Sequence, residues 1–218
     1  MSLKQSYSRY RIVFEKTGVA RFIGHLDLQS FFQRAIKRAK LPVAYSEGFN
    51  PHQLLSFAAP LPLGVAGYKE ILEVFLVHEV PAAEISRELN LQMPTGLRVT
   101  GVQEVPAVGK SAAALVCNAT YSIIFSEIEN LSSSVKRVNE SGSIVVNKKS
   151  KKGVTSVDIK PDIHELEMVS ECSLQVVLAC GSERNLKPEV LAQHILLESE
   201  IASENCDVIY ERLEVGLR

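Results

Sequence analysis

No stretch of this 218-residue chain approaches the roughly 18 apolar residues in a row that a membrane-spanning helix needs. No secretory signal peptide opens it, so a cytoplasmic protein with no membrane partner is expected. Its cysteines, Cys117, Cys172, Cys180 and Cys206, are scattered, with no C-x-x-C pair and no close Cys/His spacing. They therefore argue for neither a zinc site nor a disulfide framework, and small core residues in a reducing compartment are expected. Also missing are the P-loop, G-x-G-x-x-G, H-E-x-x-H, G-x-S-x-G and the C-x-x-x-C-x-x-C triad that holds a radical-SAM iron–sulfur cluster. These absences weaken an enzymatic reading, and no cofactor or metal is expected.

What is present is the composition of an ordinary globule, 46% hydrophobic and 22% charged, in a chain long enough for two domains of about 100 residues each. The net charge is only −1, but it is unevenly spread. Lys4, Arg9, Arg11, Lys16, Arg21, Arg34, Lys37, Arg38 and Lys40 face only Glu15 and Asp27 at the amino end. From Asp162 onward the acids dominate, among them Glu165, Glu167, Glu171, Glu198, Glu200 and Glu204. Such asymmetry permits an anionic ligand at one end without a basic protein overall.

Periodicity predicts strands at Tyr10–Lys16, Val43–Tyr45, Leu54–Ala58, Lys69–Val77 and Leu97–Val102. Leu28, Phe32, Ala35, Ile36 and Ala39 recur at helical spacing between His25 and Lys40, and Pro81 opens a second helix over Ala82–Leu91. The order is β-α-β-β-α-β, the split βαβ unit of ferredoxin-like folds. A second cycle follows, with strands at Thr120–Phe125, Ser143–Asn147, Leu174–Cys180 and Asp207–Val215. Its helices are Ile128–Val138, a short Asp162–Val169 and Pro188–Leu197. The expected architecture is α+β: two tandem ferredoxin-like units with antiparallel sheets, residues 1–105 (basic) and 118–218 (acidic), joined by a connection at 106–117. Helices on one face of each sheet would leave the other face for a ligand or a partner sheet.

Chemistry-bearing residues gather near the first strand–helix junction and in the segment Glu47-Gly48-Phe49-Asn50-Pro51-His52. His25 and Asp27 stand at a helix start, where free N–H groups favour an anion, although Asp27 equally suits a cap. Gly48 and Pro51 make a rigid turn. Such a turn is either purely structural or a mount for Phe49, Asn50 and His52 to stack on and hydrogen-bond unpaired bases. Arg11, Arg21, His25, Arg34, Lys37 and Arg38 would then meet phosphates, as would Lys148, Lys149, Lys151 and Lys152 unless these form a solvated hairpin tip. His78, His164 and His194 have no clear partners and are read as structural or surface residues.

The blocks Arg9-Tyr10-Arg11, Phe22-Ile23-Gly24-His25-Leu26-Asp27-Leu28, Tyr45-Ser46-Glu47-Gly48-Phe49-Asn50-Pro51-His52 and Pro60-Leu61-Pro62-Leu63-Gly64 occur in order. They closely resemble the radical-SAM-associated domain of unknown function. In many bacteria that domain is fused to, or encoded beside, a cobalamin-binding radical SAM protein. Where that family carries a proline and a basic residue after the histidine, this chain has Gln53 and Leu54. The resemblance implies a radical SAM protein as partner and a weak link to RNA or ribosome biology; the acidic unit is the expected docking surface, because the basic one would be occupied by substrate. The expected function is thus a non-catalytic, RNA-binding accessory module. One alternative is a metal-free endoribonuclease like those that process CRISPR repeats, with His25 and His52 as acid and base and Tyr45 assisting. A pure protein-interaction adaptor is the other.

Overall fold

The computed structural model describes residues 7–150, 153–199 and 206–218. It is a mixed α+β protein with two compact units, Met1–Val116 with Leu217–Arg218, and Cys117–Gly216.

In unit 1 the elements are β1 (Ser8–Lys16), a 3-10 turn (Gly18–Phe22), α1 (His25–Arg38), β2 (Leu55–Phe57) and β3 (Ala66–Leu76). They continue with α2 (Ala82–Asn90), β4 (Leu97–Val105) and the single-turn α3 (Ala112–Leu115). The strands run β4-β1-β3-β2, every neighbouring pair antiparallel. Alternation along β1 sends Tyr10, Ile12 and Phe14 into a core shared with Leu72 and Val74 of β3 and with Leu28, Phe32 and Ile36 of α1. Phe32 packs edge-on against Phe14 and Phe57, with ring centroids 4.9 and 5.7 Å apart.

The opposite side of the same strands carries charge. Arg11 and Glu73 stand directly across the β1–β3 ladder, and the Glu73 carboxylate also takes Arg9 at 2.7 Å, both side chains almost wholly buried. The chain after β4 covers this pair: Arg9 donates to the carbonyls of Pro106 and Lys110, and the Ala112 N–H donates to Glu73. At these residues, then, the sheet face expected to be open to a ligand is closed by the protein's own backbone.

The expected Val43–Tyr45 strand is reduced to two isolated bridges, Val43 to Leu76 and Tyr45 to Gln53. Pro42 brings no N–H to a ladder, and only Ala44 bonds on both sides, donating to Phe75 and accepting from Leu54. Asp27 does not cap α1. Gly24 is the N-cap residue and Asp27 lies inside the first turn, where its charge suits the positive helix end.

Unit 2 contains β5 (Val116–Phe125), α4 (Leu131–Glu140), β6 (Val145–Ser150), β7 (Gly153–Asp158), β8 (Ile163–Ser170), β9 (Ser173–Ala179), α5 (Pro188–Glu198) and β10 (Val208–Leu217). Its sheet runs β10-β5-β9-β8, while β6 and β7 form a separate hairpin. The segment Asp162–Val169, expected to be a helix, is the edge strand β8, paired antiparallel to β9. Within β8 only Leu166 is buried, and a strand with one wet face and bulges in register shows little period of either kind. The expected strand at Ser143–Asn147 begins later and belongs to the hairpin rather than to the sheet. Cys180 and Cys206 are buried as expected, but Cys117 is half-buried and Cys172 is exposed at the β8–β9 turn; all four are free thiols. No helix among the described residues is long and apolar enough to cross a membrane.

Candidate nucleic-acid interface

In unit 1 the chain between α1 and β2 leaves the core and returns. Its neck is closed by four polar contacts. The Ser46 N–H donates to the His52 carbonyl at 2.8 Å, and the His52 N–H donates to Ser46 Oγ at 3.0 Å. His52 Nδ1 lies 2.8 Å from the same hydroxyl, and on the far side of the Tyr45–Gln53 bridge the Leu54 N–H donates to the Ala44 carbonyl at 2.8 Å. Gly48 sits at φ +112°, a backbone conformation that disfavours any side chain, so the tip can reverse sharply. Next to it Phe49 is fully exposed, with a relative accessibility of 106%.

The root of this loop is tied to α1. The buried Gln53 side chain donates from Nε2 to the Gln33 carbonyl at 3.2 Å and to Tyr45 Oη at 3.4 Å. Its other amide atom, Oε1, is buried without a partner. The residue after Gln33 is Arg34, and Arg34, Lys37, Arg38 and Lys40 are all exposed. Among the described residues Arg34, Lys37 and Lys40 form no ion pair, and Lys40 is held at φ +54°, a region more at home to glycine. Arg38 is partly committed, with Nε on Gln92 Oε1 at 3.1 Å and its guanidinium 5.8 Å from the Phe31 ring centre. The tie at Gln53 thus joins the loop that carries Tyr45, Phe49, Asn50 and His52 to the helix that carries Arg34 and Lys37.

The other sequence candidates sit elsewhere in the chemistry. Arg11 is half-buried on Glu73, Nε to Oε2 at 3.5 Å. Arg21 stacks 4.8 Å from the centre of the Phe22 ring, and its Nε is buried without a hydrogen bond. The His25 ring lies edge-on against Phe57 at 5.4 Å, which makes it part of the aromatic packing at the start of α1. Lys151 and Lys152 lie outside the described residues; Lys148 and Lys149 are on β6, and their side chains are likewise outside what is described. No group of three or more His, Cys, Asp or Glu side chains converges as a metal site among the described residues.

Sequence reasoning gave no weight to unit 2's interior. His194, read from the sequence as a structural or surface residue, lines a cavity of about 650 Å³ between the β6–β7 hairpin and α5. Nothing local signals it, because the walls come from segments far apart in the chain.

Over residues 9–188 the sequence matches the family described as "Uncharacterized protein conserved in bacteria (DUF2344)". No curated protein matches it.

Proposed function

The chain belongs to this family of uncharacterized bacterial proteins, and from that premise we propose that it is a non-catalytic module that binds single-stranded RNA through unit 1. One contact carries the reading: the Gln53 amide on the Gln33 carbonyl fastens the loop that presents Phe49 to the helix that presents Arg34 and Lys37. Unpaired RNA is held by an aromatic face for a base and cations for the phosphates beside it, and a fixed distance between the two selects extended strands over duplex. Helix-dipole compensation accounts for cations in the last turn of α1 but not for a bare phenylalanine on a closed loop. The sheet order of each unit, with its first strand central and its fourth at one edge, supports a ferredoxin-like reading of both. The resemblance to the radical-SAM-associated domain extends the proposal to a separate radical SAM enzyme as partner, docking on the acidic unit.

Affinity for short single-stranded RNA is expected to fall linearly on a log–log plot against salt. Arg34→Ala plus Lys37→Ala should shallow that slope by about 1.4, two phosphates at ~0.7 each. Phe49→Ala should cost about 1–3 kcal/mol of binding without changing the slope. RNA that fails to bind at low salt, or binds these variants as it binds the parent, would sink the proposal. The protein partner is tested by co-purification with the radical SAM protein from the native host; a complex seated on Gly48–His52 would reassign the loop to protein contact.

A second reading has its own observation: the Ser46 hydroxyl at Nδ1 holds the exposed His52 imidazole in one orientation, as a general base requires. Tyr45 neighbours it across the Gln53 bridge. Cleavage of RNA in chelator, abolished by His52→Ala and by His25→Ala, would establish an endoribonuclease; intact RNA would remove that reading.

A further inference from the structure

The hairpin β6–β7 is not part of unit 2's sheet, and the cavity of about 650 Å³ that it walls off against α5 has an unusual lining. Val145 on the hairpin and Leu197 on the helix are large apolar side chains left 63% and 75% exposed. With Val146 and Val190 they give the cavity branched aliphatic walls. The polar groups between those walls are three carboxamides, Asn147, Asn185 and Gln193, together with His194 and Lys187. Asn147 Oδ1 accepts from Ser156 Oγ at 2.9 Å, which leaves its NH₂ to donate. The side chains of Asn185, Lys187, Gln193 and His194 have no hydrogen-bond partner among the described residues. Among the described residues no carboxylate lines this cavity. In the smaller neighbouring cavity, which shares Val145 and His194, Arg137 and Glu198 already satisfy one another at 2.9 Å.

From this lining we infer that unit 2 holds a nucleobase-recognition site in the cleft between the hairpin and α5, with the phosphate of the same nucleotide at Lys187. The chemistry selects the ligand. A carboxamide offers a donor and an acceptor from one end, the pattern that matches the alternating donor and acceptor edge of a base. Aliphatic walls suit the two faces of a flat ring, and the volume lies in the range of small-ligand sites. Among the described lining residues there is no acid, which disfavours a cationic ligand, and the Lys187 ammonium suits a phosphate. Gln193 and His194 stand beside Val190 and Leu197 on one surface of α5, so base edge and base face are read from the same helix. The inference stands on unit 2 alone and does not depend on RNA binding by unit 1.

The base comes either as a free nucleotide or as one unstacked residue of a strand, and titration calorimetry on the full chain separates the two. The probes are the four ribonucleoside monophosphates, the matching nucleosides, and a short single-stranded RNA. Binding of a monophosphate at sub-millimolar concentration identifies a free nucleotide. Binding of RNA alone, retained in Arg34→Ala plus Lys37→Ala but lost when the cavity is filled, identifies a base within a strand. In either case Val145→Trp, a change at an exposed position, should weaken binding by about tenfold or more, and Asn185→Ala by up to about tenfold, the scale of one hydrogen bond. Lys187→Ala should lower affinity for the monophosphate and not for the nucleoside. If the tryptophan disturbs the hairpin, Gln193→Leu on the exposed side of α5 serves the same purpose. The inference is overturned if neither probe binds, or if binding ignores all of these substitutions while the melting temperature is unchanged.

Discussion

The two units elaborate the same connection in different ways. In each, the link from the first helix to the second sheet strand has outgrown a turn: residues 39–54 between α1 and β2, and residues 141–162 between α4 and β8. Unit 1 fills the slot with a closed loop that puts Phe49 into solvent, and unit 2 fills it with a hairpin that forms an open cleft with α5. A connection contributes little to the core, so it can change length at small entropic cost and carry specificity while the sheet beneath stays constant. One plan thus yields a projecting surface in one case and a concave one in the other.

The largest expected effect tests whether the sheets beneath are equally independent of these additions. Unit 1's sheet depends on the buried Glu73, and Glu73→Ala would leave Arg9 buried without its counterion. The expected loss is about 3–5 kcal/mol. Urea unfolding followed by probes in each unit should show unit 1 melting first, and a single coincident transition would mean that the two are not separable. Next in size is the contrast between helix ends. Lys160 Nζ donates to the Val138 and Asn139 carbonyls at 2.6 and 3.0 Å and so closes α4, whereas Lys37 near the end of α1 is free. Lys160→Ala is expected to cost about 1.5–3 kcal/mol, Lys37→Ala less than about 0.5 kcal/mol. Equal losses in thermal denaturation would erase the distinction between a structural cation and a binding one.

Lys40 sharpens the same contrast with the opposite sign. At φ +54° it occupies the left-handed position that closes α1, where the Leu41 N–H returns to the Ile36 carbonyl at 3.2 Å. Lys40→Gly should therefore stabilise unit 1 by up to about 1 kcal/mol while weakening RNA binding. Stability gained with affinity unchanged would mean that Lys40, exposed beside Lys37 and Arg38, meets no phosphate. The smallest effect is one of pH, and it belongs to the hairpin. Asp158 accepts the Ile144 and Lys160 N–H groups at the hairpin root, and these backbone bonds hold its carboxyl below the ordinary carboxylate range. A depressed acid contributes stability that is complete above its unfolded value and is lost as pH falls through the folded one. Amide protection factors in β6 and β7, corrected for the intrinsic pH dependence of exchange, should therefore fall on acidification and cease to do so in Asp158→Asn, while the Ser46–His52 neck serves as the comparison.

What could be read in advance follows the same division. Helix α1 was legible because Leu28, Phe32, Ala35 and Ile36 mark one face at steps of three and four, and β1 because Tyr10, Ile12 and Phe14 alternate. The loop was legible too, since Gly48 and Pro51 announce a turn and an aromatic residue between them has no core to enter. Strand β8 was not, because Glu165 and Glu167 flank its single buried leucine. The commitments of Arg11 and Arg21 were hidden for another reason: a count of cations shows charge, not counterions, and Glu73 is 62 positions from Arg11. The cavity was the least visible feature, since α5 is apolar on nearly every side and the wall facing it comes from another element.

The closed neck at Ser46 and His52 also governs how the chain would be cut. An exposed phenylalanine beside a glycine is what a chymotrypsin-like protease seeks, yet cleavage requires several residues to straighten into the enzyme's groove, and a short loop pinned at its root resists that. Scission after Phe49 would thus report neck opening, and a strand of RNA lying on the ring would slow it. Nicked protein should keep both pieces together, because β1 and β3, which fall on opposite sides of the cut, stay joined through their ladder.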